Sequence, residues 1–188
     1  VSAAAMACLL RPGAVNGSIA GAARLAVPCR PMLRIGVDFG GTKIEAAALA
    51  ADGSFASRLR APNPGGYDAA IATVCELVAA VEAEAGGRGS VGVGAPGSIS
   101  PRTGLVRNSN STWLNGTQLA QDLAVRLRRE VRIANDADCF TLSEATDGAA
   151  AAAASVFGVI LGTGVGGGVC VDGRLLAGPN AIAGEWGH

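Results

Sequence analysis

Aromatic residues are scarce in this chain, with four Phe, two Trp and one Tyr among 188 residues. A core built without them must rely on aliphatic side chains and alanine, with few large anchors. Histidine occurs once, as His188, the last residue. A lone imidazole cannot close a structural zinc site, which needs four ligands. The five cysteines (Cys8, Cys29, Cys75, Cys139, Cys170) are odd in number and never spaced C-x-x-C. That excludes a zinc ribbon within this stretch, argues against a disulfide framework and favours a reducing compartment. Formal net charge is zero, so overall charge offers nothing to nucleic acid or an acidic surface. No apolar run approaches the roughly 18–20 residues that span a bilayer. The expectation is a cytoplasmic protein with no nucleic-acid and no membrane partner.

Acidic residues are missing from the start of the chain. The first is Asp38, whereas Arg11, Arg24 and Arg30 fall within an Ala-, Gly- and Pro-rich stretch, 1–31. Such a composition suits a targeting segment or a basic arm, but it lacks the order of charged region, apolar core and cleavage site. The plainer reading makes Met32 the true start and 1–31 an upstream extension; a disordered tail and a targeting peptide are the alternatives.

What the chain does have is Asp38-Phe-Gly-Gly-Thr-Lys43, set between two strand-like apolar runs. Glycines permit a turn that presents bare N–H groups to an anion. A carboxylate at the strand end suits hydrated Mg²⁺, and the Thr hydroxyl and Lys ammonium suit phosphate oxygens. The order differs from a Walker loop, which opens a helix. A plain tight hairpin explains the six residues equally well.

The pattern around them helps to choose. Strands are expected at 33–38, 44–50 and 55–60, then a loop at 61–66. A helix follows at 67–85, with Ile71, Val74, Cys75, Val78, Val81 and Ala85 on one face. Next come a strand at 90–94, a long loop from 95 to 116 and a helix marked by Leu119, Leu123 and Leu127. A strand at 130–134 leads into a helix opened by Asn135-Asp136. This β-β-β-α-β-α-β-α order is that of an α/β, actin-like (ribonuclease H-like) ATPase lobe, in which the first turn is a phosphate hairpin. Doubly wound sheets alternate strand and helix from the first strand. Six alanines, 149–154, act as a joint. Beyond it a strand at 156–161, a glycine loop at 162–168 and a strand at 169–171 restate the opening of the first lobe. The expected domains are the extension 1–31, a complete N-terminal lobe 32–150 and an incomplete start of a C-terminal lobe, 151–188.

Gly36-Val-Asp-Phe-Gly-Gly-Thr-Lys43, Asn135-Asp-Ala137, Gly162-Thr-Gly164 and Gly184-Glu-Trp-Gly-His188 together resemble the motif series of the ROK family of sugar kinases and repressors. Val106-Arg-Asn-Ser-Asn-Ser-Thr-Trp-Leu-Asn-Gly116 and Ala183-Gly-Glu-Trp-Gly-His188 resemble its bacterial fructokinase (manno/fructokinase) branch. The resemblance runs from Met32 to His188.

That resemblance implies ATP-dependent transfer of a phosphoryl group to the primary hydroxyl of a hexose, fructose first, with ATP and Mg²⁺. Asp136 would be the catalytic base. Asn110, Asn135, Glu185 and His188 would bind the sugar. Asp38, Gly40, Gly41, Thr42, Lys43, Gly162, Thr163 and Gly164 would hold ATP and its metal. Physical chemistry allows the first assignment, since a carboxylate at a helix N-terminus stays ionised and can take a hydroxyl proton. Asn-Asp before an apolar run is also an ordinary helix cap. Trp113 and Trp186 would pack on a sugar face or in the core. In the family His188 also helps to hold a structural zinc whose other ligands lie in a C-x-C-G-x-x-G-C pattern. That pattern is absent here, so Zn²⁺ is expected only in a full-length protein, the form in which the family allows a homodimer. The chain alone is expected to be inactive. Asp138 stands where the family more often has Asn. A sugar-responsive repressor is the alternative, although 1–31 lacks the length and periodicity of a helix-turn-helix module.

Overall fold

The computed structural model describes Ala7, Leu10, residues 33–161 and residues 165–187. Strands β1 (Leu33–Phe39), β2 (Lys43–Leu49) and β3 (Phe55–Pro62) form an antiparallel meander. β2 is buried on both faces from Ile44 to Leu49. Its alanines explain how: Ala46 and Ala48 join the main core, while Ala47 and Leu49 pack against Ala7 on the opposite side. The small side chains let covering elements approach both faces closely.

Helix α1 (Tyr67–Glu84) crosses over to β4 (Gly89–Ala95), which pairs in parallel with β1. Its buried stripe is Ala70, Ile71, Val74, Leu77, Val78 and Val81. Cys75 and Ala85, expected in that stripe, are only half-buried at its margin. Helix α2 (Leu119–Leu127) buries Leu119, Leu123 and Leu127 as its spacing predicts, and leads to β7 (Val131–Asn135), parallel to β4. The resulting five-stranded sheet has the order β3-β2-β1-β4-β7. Arg129, just beyond α2, pins this sheet to α1: it donates to both carboxylate oxygens of Glu82, at 2.5 and 2.8 Å, and to the Gly89 carbonyl at 2.6 Å.

Between β4 and α2 the expected long loop is more ordered than its composition suggests. It contains a two-stranded ribbon, β5 (Ser98–Ile99) with β6 (Val106–Arg107), and a 3-10 turn at Thr112–Leu114 whose Leu114 is fully buried. Two-residue strands are too short to show a period, so nothing in the pattern announces them.

Helix α3 (Asp136–Thr146) follows β7 with no intervening residue. It shares a small core with a second sheet: Cys139, Leu142 and Ala145 meet Cys170 and Leu175. That sheet consists of β8 (Ser155–Leu161), β9 (Val165–Val171) and β10 (Arg174–Leu175), in the order β10-β9-β8. The expected glycine loop at 162–168 is corrected here, because β9 begins at Val165 and takes Gly166, Gly167 and Gly168 into the strand. The reason is close packing from both sides. A Cβ on Gly168 would stand 2.7 Å from Thr141 Oγ1 of α3, and one on Gly167 2.8 Å from Trp186 Cδ1 on the other face. Of the expected loop, 162–164 lies outside the described residues. Among the described residues no helix is long and apolar enough to cross a membrane.

Candidate active site

Parallel strands β1, β4 and β7 end at one edge of the first sheet, the usual place for a ligand in such sheets. Asp38 sits near the end of β1, opposite Glu45 of β2 and beside Gly94 of β4. Asn135 closes β7 opposite Ala95, and Asp136 begins α3. Burial pushes the Asp38 carboxyl up to about 6, and the neighbouring charges of Asp136 and Glu45 add to this while Lys43 opposes it. Burial likewise raises the Asp136 carboxyl, against the hydrogen bond its Oδ1 accepts from the Ala137 N–H at 2.9 Å. Asp138 is pushed up to about 7 by burial first and then by the charges of Glu185 and Asp136. Asp38, Glu45, Asp136, Asp138 and Glu185, five carboxyl groups from four segments, therefore share one electrostatic basin. Nearby cationic charge would hold them ionised.

The β1–β2 turn is tight and open to solvent. A Cβ on Gly40 would lie 2.7 Å from the Lys43 carbonyl oxygen, so only glycine fits the turn. Gly41, Thr42 and Lys43 are exposed. Asn63 braces the turn from β3's end: its Nδ2 donates to the Gly40 carbonyl at 2.8 Å and its N–H to the Thr42 carbonyl at 3.0 Å. Asn63 escaped the sequence reading, although an Asn between Pro62 and Pro64 is a strong turn signal.

Asn135 caps α3, accepting from the Ala137 N–H at 2.7 Å, and its Nδ2 donates to the Gly97 carbonyl at 2.9 Å. The amide keeps one further acceptor and one further donor site, so a sugar hydroxyl can still be served. Asn110 is exposed in the loop after β6, next to Ser109, whose backbone is clasped by the Asn115 amide at 2.9 and 3.1 Å. A Cβ on Gly41 would lie 3.7 Å from Ser111 Oγ, so this loop reaches the hairpin. Trp113 packs against Phe39 with ring centroids 6.0 Å apart and joins the main core. Trp186 is 55% exposed, edge-on to Phe157 at 6.3 Å. Glu185 is half-buried beside Asp138, carried in by Gly184, whose φ of 95° only glycine adopts readily. Gly162, Thr163, Gly164 and His188 lie outside the described residues.

Among the described residues no three His, Cys, Asp or Glu side chains converge as a metal site. Mg²⁺ does not require such a cage, because it is commonly held by one or two carboxylates, phosphate oxygens and water. Asp38 beside the glycine turn fits that donor set.

Comparison with known proteins agrees with this geometry. The ROK family model matches residues 34–188. The N-acetylgalactosamine kinase AgaK of Shewanella sp. (strain ANA-3) is 44% identical over 154 residues, covering 81% of this chain and 50% of that protein. The chain thus spans about half the length of the curated relatives it matches. Among solved structures, the ROK hexokinase from Thermus thermophilus is 33% identical with a TM-score of 0.73, covering 82% of this chain and 52% of its own. A ROK family glucokinase from Streptomyces griseus, in complex with glucose and AMPPNP, is 29% identical with a TM-score of 0.75, covering 83% and 50%. With its meander, its parallel extension and its carboxylate-lined edge, the chain has the actin-like ATPase fold and belongs to the ROK family.

Proposed function

We propose that the protein carrying this chain phosphorylates a hexose with ATP, and that this chain supplies its acceptor base and first phosphate hairpin. The carrying observation is that Asp136, at the head of α3, shares an electrostatic basin with Asp38 beside the glycine turn. Phosphoryl transfer needs a base aligned with the acceptor oxygen and positioned countercharge for the phosphates. ATP supplies the phosphoryl group and Mg²⁺ the neutralising charge.

Asp136 takes the proton of the sugar hydroxyl as its oxygen attacks. Its raised affinity for protons, a consequence of burial, suits a group that must accept one. Gly40, Gly41, Thr42 and Lys43 would cradle phosphate, Asp38 would hold the metal, and Gly162, Thr163 and Gly164 would add to the ATP contacts. Asn110, Asn135, Glu185 and His188 orient the sugar. Site groups that hydrogen-bond a particular hydroxyl reject an analogue lacking it by roughly 10⁴ or more.

Fructose is the first substrate to test, on the resemblance of 106–116 and 183–188 to the fructokinase branch. The names of the relatives, an N-acetylgalactosamine kinase, a hexokinase and a glucokinase, favour aldohexoses and N-acetylhexosamines as a second reading. A sugar-responsive repressor would bind hexose without consuming ATP. The test is ADP release by the product of the complete reading frame, with ATP, Mg²⁺ and a panel of fructose, mannose, glucose and the two N-acetylhexosamines. Turnover highest with fructose is expected. A different best hexose moves the specificity, and no turnover with any of them sinks the kinase reading.

A further inference from the structure

Arg107 is half-buried at the end of β6, with its Nε donating to Ser98 Oγ at 3.3 Å. Its Nη2 donates to the Asn180 carbonyl, far away in sequence, in the loop that follows β10. This loop is compact. The Ala181 and Ala183 N–H groups donate to Gly178 and Ala177 carbonyls, and the Glu185 N–H to Ile182 at 3.2 Å. Its far end is seated on β9, where a Cβ on Gly184 would stand 2.9 Å from Gly168 Cα. Glu185, the next residue, lies beside Asp138 of α3.

On the other side of Arg107 the contacts run back to the same helix. Gly97 adopts a φ of 85°, and a Cβ there would lie 2.5 Å from the Arg107 carbonyl oxygen, so β6 rests directly on this glycine. The Gly97 carbonyl accepts from Asn135, the cap of α3. A closed circuit results: α3, Gly97, β6, Arg107, Asn180, Glu185 and back to α3. Arg107 carries it from the β5–β6 ribbon to the loop that brings in Glu185.

We propose that Arg107 is a positioning residue that fixes the 177–184 loop, and through it Glu185, over the acceptor site. A guanidinium suits the task because it can hold Ser98 and the Asn180 carbonyl at once, whereas a lysine ammonium is a single point donor on a flexible stem. The role rests on the hexose-kinase reading for its effect on sugar, but not for its effect on the loop.

The test compares Arg107→Ala and Arg107→Lys with the unchanged protein, as the product of the complete reading frame, by hexose kinetics and by hydrogen exchange. Arg107→Ala should raise the hexose KM about tenfold with kcat changed far less, as expected when an interaction common to ground and transition states is lost. Amides of 181–187 should exchange faster, while those of β1, β4 and α1 stay as they were. Arg107→Lys should recover part of both effects. Unchanged exchange at 181–187 in Arg107→Ala overturns the inference whatever the kinetics, and so does faster exchange with an unchanged KM. If the unchanged protein turns over no hexose, the kinase reading falls, and exchange alone decides whether Arg107 holds the loop.

Discussion

Thr141 of α3 closes on Gly158 of β8 so tightly that no side chain fits between them. Gly158 pairs in register with Gly168, which Thr141 also covers, and the Thr141 hydroxyl is turned back onto the Ala137 carbonyl at 2.8 Å. The helix that presents Asp136 is thereby set against the second sheet through one threonine and two glycines.

Gly158→Ala should therefore destabilise the fold by about 2–3 kcal/mol, the scale of overpacking a filled core. In a domain of this size that lowers Tm by roughly 4–12 °C. Adding Thr141→Ala should return part of the loss, since the hydroxyl is the nearest obstacle, leaving a coupling of about 1 kcal/mol in a double-mutant cycle. Strictly additive effects would mean that the two residues do not oppose each other.

Asp136 and Asn135 can be separated by experiment although they are adjacent. Asp136→Asn should cut phosphoryl transfer by about 10²–10⁴-fold, the usual worth of a general base. It should leave the helix intact, because Asn135 Oδ1 still accepts from the Ala137 N–H. Asn135→Ala removes that cap and the link to Gly97, costing about 1–2 kcal/mol of stability. Thermal melts beside activity assays check both; an Asp136→Asn protein with full turnover would remove the base assignment.

Much of this arrangement was legible in the sequence, for identifiable reasons. The meander, α1 and α2 announce themselves because β2 and the helices carry long apolar periods, as in Leu119, Leu123 and Leu127. The turn at Gly40 and the cap at Asn135 are readable because local chemistry makes them. What stayed hidden depends on distant partners. Gly166, Gly167 and Gly168 read as a loop until Thr141 and Trp186 are seen pressing on either face. Arg107 and Asn63 act through backbone carbonyls far along the chain or across a turn, and no periodicity encodes such a contact.

Asn63→Ala should loosen the β1–β2 hairpin without harming the core. Its amide donates to the Gly40 carbonyl, and the loss of one such bond corresponds to about 1 kcal/mol, or roughly fivefold in affinity. The KM for ATP should rise by about that factor, with the hexose KM unchanged. A shift confined to the hexose KM would place Asn63 elsewhere in the mechanism.

Asp138 gives the sharpest pH signature. It faces β9, where a Cβ on Gly168 would stand 2.9 Å from its Oδ1, rather than solvent. Its carboxyl is pushed up to about 7 by burial and by Glu185 and Asp136, against 3.8 in the unfolded chain. Between those values the native state holds a proton that the unfolded state has released. The stability this confers is complete below pH 3.8 and is lost as pH rises through about 7. Asp138→Asn, which never ionises, should consequently be more stable than the unchanged protein at pH 8, by on the order of 4 kcal/mol. The gain should shrink towards zero at pH 4, and melts across that range would show it. A constant gap would trace to packing instead of ionisation. Because Asp138 holds its proton up to about pH 7, it is neutral across the acidic range, and the same variant should leave the acidic limb of kcat/KM where it was. A limb that moves to lower pH would mean that Asp138 is ionised there and acts on Asp136 directly.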